Sequence, residues 1–93
     1  MKKRELQPGC VVRSKAGRDE GRYFIVLSLD GDEFAWVADG DLRKVEKPKR
    51  KRVKHLYVTE ELVYSLQSKL MAGESVENHV IRKSLETFKQ KEG

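Results

Sequence analysis

Apolar residues recur along this chain with two different periods, and the change between them divides it into two parts. Cys10-Val11-Val12 and Tyr23-Phe24-Ile25-Val26-Leu27 are short apolar runs rich in β-branched and aromatic side chains, and each is bounded by turn-forming residues. Between them lies Ser14-Lys15-Ala16-Gly17-Arg18-Asp19-Glu20-Gly21-Arg22, a polar stretch with two glycines four residues apart. Such spacing predicts a tight reversal, hence a hairpin that carries its charge at the tip. Asp30-Gly31-Asp32 is a second turn, Phe34-Ala35-Trp36-Val37-Ala38 a third strand, and Asp39-Gly40-Asp41 a third turn. Leu42 to Val45 is the expected fourth strand. Lys47-Pro48-Lys49-Arg50-Lys51-Arg52 reads as an exposed loop, because proline lacks a ladder donor and neighbouring like charges repel. Val53-Lys54-His55-Leu56-Tyr57-Val58 is then the fifth strand. Short strands joined by close turns predict an antiparallel meander that curls into a small barrel.

From Thr59 onward the period becomes helical. Thr59 is an expected N-cap, Glu60 and Glu61 suit the first turn, and Leu62, Val63, Leu66 and Leu70 form a stripe that ends at Ala72-Gly73. Ser75 is the expected cap of a second helix with Val76, Val80, Ile81, Leu85 and Phe88 on its apolar side. Helices this short must lay their stripes on the sheet or on each other. The fold class is therefore mainly β with an α appendage: a five-stranded antiparallel barrel over residues 1–58 and two short helices over residues 59–93, packed as one unit.

Composition narrows the function. The 93 residues are 38% apolar and 38% charged, which suits one small soluble domain. No stretch is long and apolar enough to span a membrane, and Met1-Lys2-Lys3-Arg4 is followed by Glu5, Gln7 and Pro8 rather than by an apolar leader, so a cytoplasmic protein is expected. Nothing demands a dimer, and a monomer is expected. The single cysteine, Cys10, sits among apolar neighbours and reads as a small buried hydrophobe. His55 and His79 are far apart, so no metal-binding spacing emerges and no cofactor is expected.

Charge is segregated along the chain. Residues 43–54 hold eight basic side chains and one acid, a local net of +7, although the whole chain carries only +5; residues 23–42 hold five acids and no Lys or Arg. A stripe of this kind attracts a polyanion. The alternatives are a solvated surface, a localisation signal or a disordered basic tail, and the strand-like residues on both sides favour a tethered loop over the last two.

The order of these features resembles a known family. Gly9, Val11, Val12, Ser14, Gly17-Arg18-Asp19-Glu20-Gly21-Arg22 and Phe24-Ile25-Val26 are similar to the KOW motif, an RNA-binding hairpin of several ribosomal proteins and transcription elongation factors. The run from Pro8 through His55-Leu56, including Ala38-Asp39-Gly40 and Arg43-Lys44-Val45-Glu46-Lys47-Pro48-Lys49, resembles small bacterial KOW-domain RNA-binding proteins related to large-subunit ribosomal proteins of archaea and eukaryotes. The resemblance covers about half the chain and implies a five-stranded, SH3-like barrel that touches RNA. The helical tail matches by layout alone.

The residues point the same way without the family. Arg13, Lys15, Arg18 and Arg22 flank Gly17 and Gly21 at the hairpin tip; Arg43, Lys44, Lys47, Lys49, Arg50, Lys51, Arg52, Lys54 and His55 form the basic segment. Brought together by a barrel, these fifteen positions make one RNA-binding face in which cations neutralise phosphates. Trp36, Phe34, Tyr23, Phe24 and Tyr57 either stack on unpaired bases or fill the core, and the core reading is preferred for most of them. Asp30, Asp32, Glu33, Asp39 and Asp41 belong to turns, where Asp bonds its own backbone, and no nucleophile or phosphate-cradling motif accompanies them. No enzyme is expected. The leading reading is a noncatalytic RNA-binding protein acting on structured ribosomal RNA or the ribosome in translation. The competing one is a protein-interaction module docking on a ribosomal protein or RNA polymerase.

Overall fold

Three of the strands form where the apolar runs predict them. In the computed structural model, which describes residues 5–92, β1 spans Cys10–Ser14, β2 Tyr23–Asp30 and β3 Phe34–Ala38. β4 spans Lys49–Arg52 and β5 Leu56–Leu62, joined by a single 3-10 turn at Val53–His55. The helices are α1, Tyr64–Met71, and α2, Asn78–Glu92. The expectations for residues 1–4 and 93 lie outside the described residues. All four strand pairings are antiparallel, and the sheet order is β4-β3-β2-β1-β5. A meander therefore curls until its last strand lies beside its first, giving a barrel-like sheet with a helical C-terminal appendage.

Period-two alternation gives this sheet two cores. Cys10 and Val12, Phe24 and Val26, Ala35 and Val37, and Leu56 face inward and pack together, all buried. Val11, Ile25 and Ala38 face outward and are covered by Leu66 of α1 and Ile81, Leu85 and Phe88 of α2. Phe24, Ile25 and Val26 are fully buried in succession because their strand is covered on both sides. Each large apolar side chain buried under α2 contributes about 1.5–3 kcal/mol. Docking, more than intrinsic propensity, thus holds a helix this short. Cys10 is fully buried, as its neighbours imply.

The sheet departs from expectation in four places. Leu42 to Val45 forms no strand; it wraps around the Asp39 turn instead. Lys49–Arg52, expected as a loop, is the edge strand β4, paired with β3 from Phe34↔Arg52 to Val37↔Lys49. An edge position tolerates the preceding Pro48, and alternation turns Lys51 inward while Arg50 and Arg52 meet carboxylates outside. The strand expected at residues 53–58 starts only at Leu56, after the 3-10 turn.

Thr59 is not a helix cap. It lies inside β5, with its Oγ1 donating to the Val11 carbonyl at 2.7 Å and accepting from the Glu61 amide at 3.2 Å. β1 gains a second neighbour this way, so the strand continues to Leu62 and the boundary between sheet and helices falls there rather than at residue 58. α1 begins at Tyr64 without a side-chain cap. α2 begins at Asn78, three residues beyond Ser75, where the Glu77 carbonyl accepts from the Val80 and Ile81 amides. Because Thr59 supplies a buried hydrogen bond across 48 residues, Thr59→Val is expected to lower the unfolding free energy by about 1 kcal/mol. Urea denaturation measures it, and an unchanged midpoint would remove that role.

Candidate nucleic-acid interface

The hairpin tip is held from inside the barrel. The Ser14 amide donates to the Arg22 carbonyl and the Gly21 amide to the Ser14 carbonyl, both at 2.9 Å, while Gly17 and Gly21 take φ values of +81° and +91°. These left-handed conformations allow the reversal. Lys51, 8% exposed, reaches under it from β4: its Nζ donates to Ser14 Oγ at 2.8 Å and to the Ala16 carbonyl at 3.4 Å, and lies 3.6 Å from Asp19 Oδ2. The Lys15 amide donates to the His55 carbonyl at 2.8 Å. Through these contacts the tip sits against both β4 and the 3-10 turn.

A second knot fixes the loop after β3. Asp39, buried, accepts from the Asp41 and Arg43 amides at 2.9 and 2.8 Å through Oδ1, and from Arg22 Nη2 at 3.1 Å and Nε at 3.3 Å through Oδ2. That is the turn-capping role the sequence implies for Asp39. From α2, Asn78 Oδ1 accepts from the Val45 amide at 2.8 Å, and its Nδ2 donates to Glu46 Oε1 at 2.9 Å. This bond, helped by a backbone hydrogen bond within Glu46 and by the nearby charge of Lys44, holds the Glu46 carboxyl below its ordinary pKa. Arg82 Nη1 donates to the Gly40 carbonyl at 2.6 Å. At Gly40 the backbone of α2 comes so close that an added Cβ would strike the Asn78 carbonyl oxygen.

The expected cations now divide into two sets. Arg22 is matched by Asp39, Lys51 by Asp19, Arg50 by Asp30 at 2.8 Å and Arg52 by Glu33 at 3.8 Å. Arg13, Lys15, Arg18, Arg43, Lys44, Lys47, Lys49 and Lys54 make no ion pair among the described residues. Counting the carboxylates of Asp19, Asp30 and Glu33 reduces the +7 of residues 43–54 to +4. The segment is less basic in space than in sequence. Lys51 is committed to the interior, and Gly17 and Gly21 serve the tip through their backbone.

The aromatic side chains divide between core and surface: Phe24 lies in the inner core and Tyr23 packs against the outer one. Phe24 is buried, but Tyr57 is 59% exposed and Tyr23, Phe34 and Trp36 are only half-buried. Arg50 lies 3.7 Å from the centre of the Phe34 ring and Arg52 5.0 Å, so Phe34 is covered by cations of its own chain. Alternation along β5 turns Leu56 inward and Tyr57 outward, whereas a strand begun at Val53 leaves the facing of Tyr57 open. Among the described residues no three His, Cys, Asp or Glu side chains group as a metal site, and no helix is long and apolar enough to cross a membrane. No known family model and no curated protein matches the chain.

Proposed function

We propose that the chain is a noncatalytic RNA-binding protein that holds a structured RNA, ribosomal RNA above all, by its phosphates. The observation that supports this reading is the set of cations with no ion-pair partner among the described residues, drawn from both the hairpin tip and residues 43–54, together with the contact of the tip against β4 and the 3-10 turn. Unmatched cations at close range repel one another, and a polyanion relieves that repulsion while releasing its counterions. The resemblance of the tip and basic segment to KOW-domain RNA-binding proteins supports the same reading and favours a ribosomal context. In this mechanism Arg18 and the tip backbone set orientation, and Arg43, Lys44, Lys47, Lys49 and Lys54 supply affinity.

Engagement of about five phosphates on single-stranded RNA gives a slope of log affinity against log salt of about −3.5. Replacing Lys44, Lys47 and Lys49 together by alanine is expected to flatten it by about 2, at roughly 0.7 per phosphate. An unchanged slope would remove these lysines from the interface. Lys51 is left out of the set because its replacement disturbs the fold.

One observation favours a protein partner. Tyr64 and Met71, seven residues apart on α1, are each about 70% exposed and share a helix face. Recovery of the protein from cell extract before and after ribonuclease separates the readings: association that survives digestion and is lost on replacing both residues supports docking on a protein.

A further inference from the structure

The helices stop short of one end of the outer face. There Arg13 stands opposite Tyr23 on β2 and opposite Tyr57 on β5, so the three side chains form one row across the sheet. Adjacent strands lie about 4.8 Å apart, which puts neighbours in such a row within contact range. The Tyr23 ring is held edge-on by Phe88 of α2, with centroids 5.3 Å apart and planes at 63°. Tyr57 has no such cover among the described residues and is 59% exposed. It forms the wall between two shallow grooves, one lined by Arg13 and Tyr23, the other by Lys15 and Lys54.

The charges around Tyr57 favour an anion. Arg13, Lys15 and Lys54 make no ion pair among the described residues. Glu61, at the rim, is taken up by Lys91 at 3.4 Å; Glu60, which lines both grooves, and Glu5, which lines the second, oppose the three cations in part and leave a net of +1. A large aromatic ring left in water and flanked by three unmatched cations suits a ligand that combines a flat face with negative charge, and an unpaired nucleotide has both. Phe34 offers less, because Arg50, fixed by Asp30, already lies over its ring.

Building on the RNA-binding reading above, we propose that Tyr57 is a stacking platform for an unpaired base, with Arg13, Lys15 and Lys54 taking the phosphates on either side. The interface then extends from the basic segment onto the open part of the β1–β5 surface. It gains a preference for single-stranded or looped RNA that phosphate contacts alone do not supply.

Binding of a fluorescein-labelled single-stranded oligouridylate, and of duplex RNA of the same length, to the full chain tests this. Tyr57→Ala is expected to weaken single-strand binding about tenfold or more with the salt slope unchanged, and to leave duplex binding as it was. Tyr57→Phe retains the affinity; Tyr57→Leu, which keeps bulk without a π face, does not. Full affinity in Tyr57→Ala or Tyr57→Leu, or an equal loss on the duplex, overturns the platform. With the wild type still binding and its slope still set by the lysines, that result leaves the RNA-binding reading standing. A wild type that binds neither RNA removes both. Tyr57 is exposed, so the variants are expected to fold, and coincident urea transitions verify it.

Discussion

Gly40→Ala is expected to destabilise the protein by about 3 kcal/mol, the sum of about 1–2 for a side chain in the left-handed region and about 1–3 for overpacking. Gly40 has a φ of +77°, and a Cβ there would meet the Asn78 carbonyl oxygen, with Arg82 Cγ and its amide nitrogen at 3.0 and 3.2 Å. The nearest obstacle is helix backbone, which yields only if α2 moves off the sheet. At about 4–8 °C per kcal/mol for a domain of this size, the melting temperature falls by about 12 °C or more. Gly17 is the internal control: its φ is +81°, but nothing lies within 4 Å of an added Cβ. Gly17→Ala should therefore cost only the conformational share, about 1–2 kcal/mol. Equal losses at the two positions would show that the close approach of α2 is unimportant.

Lys51→Ala carries the second large effect, about 2–3 kcal/mol, somewhat below the usual range for a broken buried pair because the 3.6 Å separation from Asp19 is long. Removing the ammonium leaves the Asp19 carboxylate, 16% exposed, without its partner and Ser14 Oγ without a donor. Lys51→Met keeps the aliphatic stem and is expected to lose less. Arg50→Ala, one residue earlier, breaks a pair in which both side chains are over 40% exposed and lifts a guanidinium off the Phe34 ring, and a loss of about 1 kcal/mol or less is expected. Urea denaturation of the three variants separates a buried anchor from a solvated charge. A double replacement with Asp19→Asn that is no less stable than Lys51→Ala alone would identify the carboxylate as the group left stranded. Similar small losses for Lys51 and Arg50 would mean that β4 is merely a charged rim.

These two neighbours also show where the sequence was legible and where it was not. Apolar alternation and the glycine turns located β1, β2 and β3, because strand identity there depends on local contrast between apolar and polar positions. In Lys49–Arg52 every side chain is cationic, so alternation exists but carries no apolar signal; the partners that permit a strand lie at Asp19, Asp30 and Glu33, far back in the chain. Thr59-Glu60-Glu61 failed for the opposite reason. Its local pattern satisfies the chemistry of a helix start, yet the ladder offered by β1 and the Val11 carbonyl outweighs a cap worth about 1 kcal/mol. The candidate interface was legible as a list of cations and not as a surface. Which of them carry free charge depends on carboxylates that only the folded sheet brings near, and the exposure of Tyr57 depends on where β5 begins.

The position of β1 between β2 and β5 has a consequence for the order in which the molecule is made. A chain synthesised from its N-terminus produces β1 first, but the ladder on its second side is incomplete until Leu62 has emerged. The outward apolar residues Val11, Ile25 and Ala38 wait longer still: Leu66 of α1 covers them in part, and Ile81, Leu85 and Phe88 complete the cover only when α2 has been made. A strand made before its neighbours is thus finished late, and nascent chains that end before α2 leave the outer apolar face incompletely covered and prone to association. The charged side chains of β4 guard one edge during that interval; the outer face has only α1, through Leu66, over it until α2 closes.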